Sequence, residues 1–114
     1  MTSTQDIIEE VALAFDVTPD EIRGPDRSRN LSIPRHAAFA LCYQLQGEAS
    51  MPAIGRRFGY RDHTTVLYGI RRHQSRLEGD PEYSRKIAEI EKAVAPMQYI
   101  RNAKALMFTT RREA

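Results

Sequence analysis

The sequence has one cysteine, Cys42, and no tryptophan. A lone thiol excludes an internal disulfide and any zinc site built from cysteines alone. The three histidines (His36, His63, His73) have no partner at ligand spacing, so no metal site is expected. No apolar run approaches the roughly 18 residues that a membrane span requires, and no signal-peptide pattern opens the chain. The expectation is therefore a cytoplasmic protein with no membrane association. The only lysines are Lys86, Lys92 and Lys104, and none closes a phosphate-binding Gly-x-x-x-x-Gly-Lys-Ser/Thr loop. No nucleotide and no other cofactor is expected. No Ser/His/Asp set or carboxylate pair has a supporting local context, which argues against an enzyme.

What is present is unevenly distributed. The net charge of +2 over 114 residues is a cancellation between segments. Residues 1–22 carry six acids and no Lys or Arg, for −6. Residues 23–76 carry ten arginines, no lysine and three acids, for +7. Residues 77–114 come to +1. Arginine presents a planar fork of donors that matches phosphate and guanine edges, so the middle of the chain has the composition of a nucleic-acid-binding face. A merely solvated basic face is the plainer reading of the same count.

Helix signals dominate and strand signals are scarce, which predicts an all-α, single-domain fold of about six helices. Ile7, Ile8, Val11, Ala14 and Phe15 form one stripe over residues 4–15, with Ser3 or Thr4 as the cap. Thr18-Pro19-Asp20-Glu21 opens a short second helix that Gly24-Pro25 stops. A basic loop follows, and a third helix is predicted from about Ser32, with Pro34 in its first turn. Ala37, Ala38, Leu41, Cys42 and Leu45 face inward on it. Phe39 and Tyr43 are open between core, a partner-facing patch and cover for the C-terminal tail. Ser50 and Pro52 begin a fourth helix anchored by Ile54 and Phe58. Asp62 begins a fifth, reaching about Glu78, with Val66, Leu67, Ile70 and Leu77 inward. Asp80-Pro81 begins a sixth with Ile87, Ile90 and Val94 inward, ending near Pro96. Residues 97–114 read as a separate extension, helical near 97–107 and frayed beyond, and as the candidate surface for a protein partner or self-association.

Two short helices around Gly59 make a helix-turn-helix pattern. In such a unit the first helix braces the second, and the N-terminal residues of the second enter the major groove. Here those residues are Asp62, His63, Thr64 and Thr65. Asp can accept from cytosine N4, His can donate to a purine, and a Thr methyl can pack on a thymine methyl. Arg56, Arg57, Arg61, Arg71 and Arg72 surround them in sequence. The plainer alternatives are that Asp62 only caps the helix and that the threonines only start it.

The run Phe58-Gly59-Tyr60-Arg61-Asp62-His63-Thr64-Thr65-Val66-Leu67 closely resembles the signature of the C-terminal DNA-binding domain of the bacterial replication initiator DnaA. Ser50-Met51-Pro52-Ala53-Ile54-Gly55, Pro34-Arg35, the basic loop and the opening helix resemble the same family, over about residues 5–95. The resemblance implies that Asp62, His63 and Thr64 face bases in the major groove of a DnaA box. It implies that Arg27 enters the minor groove, and that Arg35, Arg61, Thr65, Arg29 and His36 lie at phosphates. It also implies a double-stranded DNA partner for a module that would act without an ATPase, in regulating transcription or replication initiation. Tyr60 departs from the family, which commonly has glycine there; it either restricts the turn or adds a backbone contact. His36 stands where a polar amide is frequent. The rival from another class is a protein-interaction module that keeps the helical scaffold and docks a partner through the extension.

Overall fold

The structure, a computed structural model, describes residues 3–25, 29–46 and 50–94. These form six helices: α1 (Thr4–Phe15), α2 (Pro19–Arg23), α3 (Arg29–Leu45), α4 (Met51–Arg57), α5 (His63–Gly79) and α6 (Pro81–Val94). No strand occurs among the described residues. The all-α expectation holds. The predicted extension at 97–114 lies outside the described residues.

Local chemistry sets most of the helix starts. Ser3 caps α1 by accepting from the Asp6 amide at 3.0 Å. Thr18 and Glu21 form a reciprocal capping box at α2. Ser50 accepts from the Ala53 amide at α4, and Asp80 accepts from the Glu82 and Tyr83 amides at α6. Each satisfies amides that a helix N-terminus otherwise leaves unpaired.

One boundary differs from expectation. α3 begins at Arg29, not Ser32, and Pro34 lies inside it. Pro34 is the sixth residue of α3, past the amides that a helix start leaves unpaired, so its missing N–H removes one intrahelical bond, the one to the Asn30 carbonyl. Leu31, 1% exposed, buries the added first turn.

α3 is the central helix and packs against α1, α2, α4 and α5, while α6 closes the bundle across α1 and α5. Its expected inward set is buried, and Phe39 and Ala40 are buried with it. Phe39 meets Phe58 edge to face, with ring centroids 5.0 Å apart. Phe39 is therefore core, whereas Tyr43 is 47% exposed. On α5 the inward set is corrected. Val66 and Ile70 are buried and Leu67 is half-buried, but Leu77 is exposed, and Gly69 and His73 are buried as well. A Cβ on Gly69 would lie 2.7 Å from Phe39 Cδ2, so this glycine lets α5 approach α3 closely. His73 and Tyr83 share a 2.6 Å hydrogen bond that joins α5 to α6. Burial holds the His73 imidazole at a pKa of about 4, with Arg76 adding to the effect, and pushes the Tyr83 phenol up to about 12. Cys42 is a buried core residue whose thiol burial raises to about 12.

Candidate nucleic-acid interface

The turn between α4 and α5 is built on a close backbone approach. The Arg61 amide donates to the Gly55 carbonyl at 2.8 Å. A Cβ on Gly55 would lie 2.0 Å from the Arg61 carbonyl oxygen, so no other residue fits there without moving the turn. Phe58 is fully buried at the end of α4. Gly59 and Tyr60 then both adopt positive φ, +77° and +59°. Glycine does so freely; an aromatic residue does so at a cost.

Asp62 caps α5. Its Oδ1 accepts from the Thr64 amide at 3.1 Å, and this bond holds the carboxyl below its ordinary pKa. Asp62 therefore stays ionised at the positive end of a 17-residue helix. His63 Nδ1 lies 3.1 Å from the same oxygen. Asp62, His63, Thr64 and Thr65 are all exposed, whereas Val66, the next residue, is fully buried. The four side chains named from sequence thus form one exposed tip, backed by the core.

Beside the tip lies a polar cleft of about 500 Å³, lined in part by Pro25, Arg35, His36, Tyr60, Asp62 and Thr65. The arginines behind it are differently placed than expected. Arg35 is 5% exposed. Its Nε donates to the Ile22 carbonyl at 2.9 Å, and its Nη2 to the carbonyls of Glu21 at 2.6 Å and Gly24 at 2.8 Å. Arg35, expected at a phosphate, is turned inward here: its guanidinium secures the C-terminal end of α2. Arg61 is half-buried. Its Nη2 donates to the Gly24 carbonyl at 2.7 Å, and its Nη1 to the Phe58 and Arg23 carbonyls. It too is turned inward rather than presented at the backbone. Both guanidinium groups converge on the Gly24 carbonyl. The end of α2 is thereby tied both to α3 and to the residue immediately before the α5 cap.

His36 lies half-buried between α3 and α5. Arg76 donates from Nη1 to His36 Nδ1 at 3.0 Å, and the Tyr68 ring stands against the imidazole edge to face. A guanidinium cannot accept a hydrogen bond, so Nδ1 is the acceptor and the ring proton sits on Nε2. Burial, reinforced by Arg76 and Arg72, holds this imidazole at about pKa 4. His36 is a neutral donor on the cleft, not a cation.

Of the other surrounding arginines, Arg57 donates to Gln46 Oε1 at 2.6 Å, while Arg56, Arg71 and Arg72 are exposed. Arg27 lies outside the described residues, as does the side chain of Arg29. Sequence reasoning missed the carbonyl partners of Arg35 and Arg61, which lie up to 38 residues away, and the His36–Arg76 pair, 40 residues apart. No local pattern signals such contacts. Among the described residues no cluster of His, Cys, Asp or Glu could hold a metal ion, and no helix is long and apolar enough to cross a membrane.

Comparison with known proteins agrees with this geometry. The family model described as the bacterial DnaA protein helix-turn-helix matches residues 4–72. The chromosomal replication initiator protein DnaA of Thermus thermophilus is 44% identical over 77 residues, covering 68% of this chain and 17% of the relative. Those of Ruegeria pomeroyi and Lachnoclostridium phytofermentans are 35% identical over 92 residues and 37% over 90, covering 81% and 79% of this chain. The chain spans about a fifth or less of these relatives' length. The fold, the turn and the match together place this chain in the bacterial DnaA helix-turn-helix family, a family of DNA-binding modules.

Proposed function

We propose that this chain binds double-stranded DNA sequence-specifically at DnaA-box-like sites, with the N-terminal turn of α5 in the major groove. Asp62, His63 and Thr64 read base edges and Thr65 meets the sugar-phosphate backbone. Arg27 enters the adjoining minor groove, where a narrow A·T-rich groove attracts guanidinium groups. Arg29 and the Nε2–H of His36 contact phosphates, and the exposed Arg56, Arg71 and Arg72 supply sequence-independent attraction. Arg35 and Arg61 act from behind, holding the end of α2 against the reading head. Occupying such sites would regulate transcription or replication initiation, with no catalytic step.

The observation that carries this reading is the exposed run Asp62–Thr65 at the start of α5, beside a polar cleft and with buried Val66 behind it. Titration of a labelled duplex holding a DnaA box, against one with the box scrambled, tests it. Tighter binding to the box by at least about 1,000-fold at physiological salt is expected. Equal affinities would sink the proposal. An oligomer that buries the Asp62–Thr65 tip would favour the interaction-module reading instead.

A further inference from the structure

Tyr60 is the most exposed large apolar residue among the described residues, at 84%. Its hydroxyl has no hydrogen bond and its ring no aromatic partner among them. Its φ of +59° is a conformation that an aromatic residue adopts only at a cost, and one that glycine would adopt freely. The only other described non-glycine residue at positive φ is Asp16, where the backbone N–H of a helix C-cap is bonded to Ala12. Asp tolerates that region and tyrosine does not. The fold thus gains nothing visible from the Tyr60 ring and bears the strain of its backbone.

The backbone that carries the ring is nevertheless held on both sides. Gly59 lies against the Arg23 carbonyl, and Arg61 is held by main-chain carbonyls on the other side. Tyr60 also lines the same cleft as His36, Asp62 and Thr65. A tyrosine has only two side-chain torsions to freeze, so an exposed ring on a held backbone can contact a ligand at low entropic cost.

Resting on the proposed duplex binding, we infer that Tyr60 is a further DNA-binding residue. Its ring packs on a sugar and its hydroxyl donates to a phosphate oxygen of the strand beside the groove that α5 enters. Such a contact adds affinity without reading sequence. The test is fluorescence anisotropy of the full chain with box and scrambled duplexes, together with thermal melting of the free protein. Tyr60→Phe, which keeps the ring and the backbone restriction, is expected to bind both duplexes about threefold to tenfold more weakly, by the same factor. Tyr60→Gly loses at least as much affinity, while its Tm stays at or above that of the wild type. The inference is overturned if Tyr60→Phe binds like the wild type, if the loss is confined to the box duplex, or if Tyr60→Gly melts earlier. Failure of the wild type to prefer the box would instead count against the proposed function, leaving an equal loss on both duplexes still readable.

Discussion

The first turn of α5 and the body of the same helix each carry a histidine, put to opposite uses. In the first turn a histidine and two threonines stand in solvent, next to an exposed aspartate cap. Three turns later His73 is 3% exposed and hydrogen-bonded to Tyr83. The first turn is available because Val66, Gly69, Ile70 and His73 pack the body of the helix, and because Gly55, Phe58, Arg35 and Arg61 secure the turn from behind. A surface meant to read a partner needs side chains that do not themselves hold the fold together. The comparison therefore predicts a separation: changes behind the tip destabilise the fold, and changes on the tip weaken binding and leave stability nearly untouched.

The largest effect is expected at Gly55. Gly55→Ala places a methyl group 2.0 Å from the Arg61 carbonyl, which the turn can relieve only by opening. A loss of about 3 kcal/mol or more in urea unfolding is expected, with DNA binding lost alongside it. Next comes Arg35→Ala, which leaves the carbonyls of Glu21 and Ile22 without their charged donor and that of Gly24 with Arg61 alone. A loss of about 2–3 kcal/mol is expected. A variant as stable as the wild type would show that these contacts do not hold the fold.

Acid should also act on the packing behind the tip. His36 and His73 are held near pKa 4 in the fold, against 6.5 for a free imidazole. Between these values the unfolded chain binds protons that the folded chain refuses. Stability is therefore full above about pH 6.5 and falls as the pH drops toward 4. Each ring contributes on the order of 1–2 kcal/mol once solvent screening is allowed for. Denaturant melts across this window check it, and a flat profile would contradict the burial assigned to both rings.

Effects on stability are smallest at the tip, which is where the comparison is sharpened. Asp62→Ala is the one tip change expected to touch both properties, since it removes the α5 cap as well as a binding group, and it should lower stability less than Arg35→Ala. His63→Ala should move stability by no more than about 0.5 kcal/mol while costing about 1–3 kcal/mol of discrimination between box and scrambled duplexes. If His63→Ala lowers stability as much as Arg35→Ala does, the tip and the packing behind it are not separable.

What could be read from the sequence follows the range of each interaction. The caps at Ser3, Thr18, Ser50 and Asp62 are local, and so are the Gly-containing turn and the apolar stripes of α1 and α6, so the pattern of residues announces them. The exposed tip was legible for the same reason: its four residues are consecutive. The inward turn of Arg35 and Arg61 was not, because a guanidinium that meets a carbonyl more than ten residues away leaves no periodic trace. The burial of His73 has no sequence signal either, since its hydrogen-bond partner Tyr83 lies on the next helix. α3 starts three residues ahead of its proline-based expectation because the buried Leu31 holds a further turn that no local pattern marks.

The Gly24 carbonyl, held by two guanidinium groups at 2.8 and 2.7 Å, has a consequence for how such a protein can diversify. The chain passes from Gly24 to Arg29 between an anchored exit and the first turn of α3. The anchor at Gly24 fixes where α2 ends relative to the head of α5, whatever side chains follow it. Under the proposed duplex binding, substitutions beyond Gly24 would leave the aim of α5 unchanged, so a second contact could be retuned apart from the residues at Asp62–Thr65.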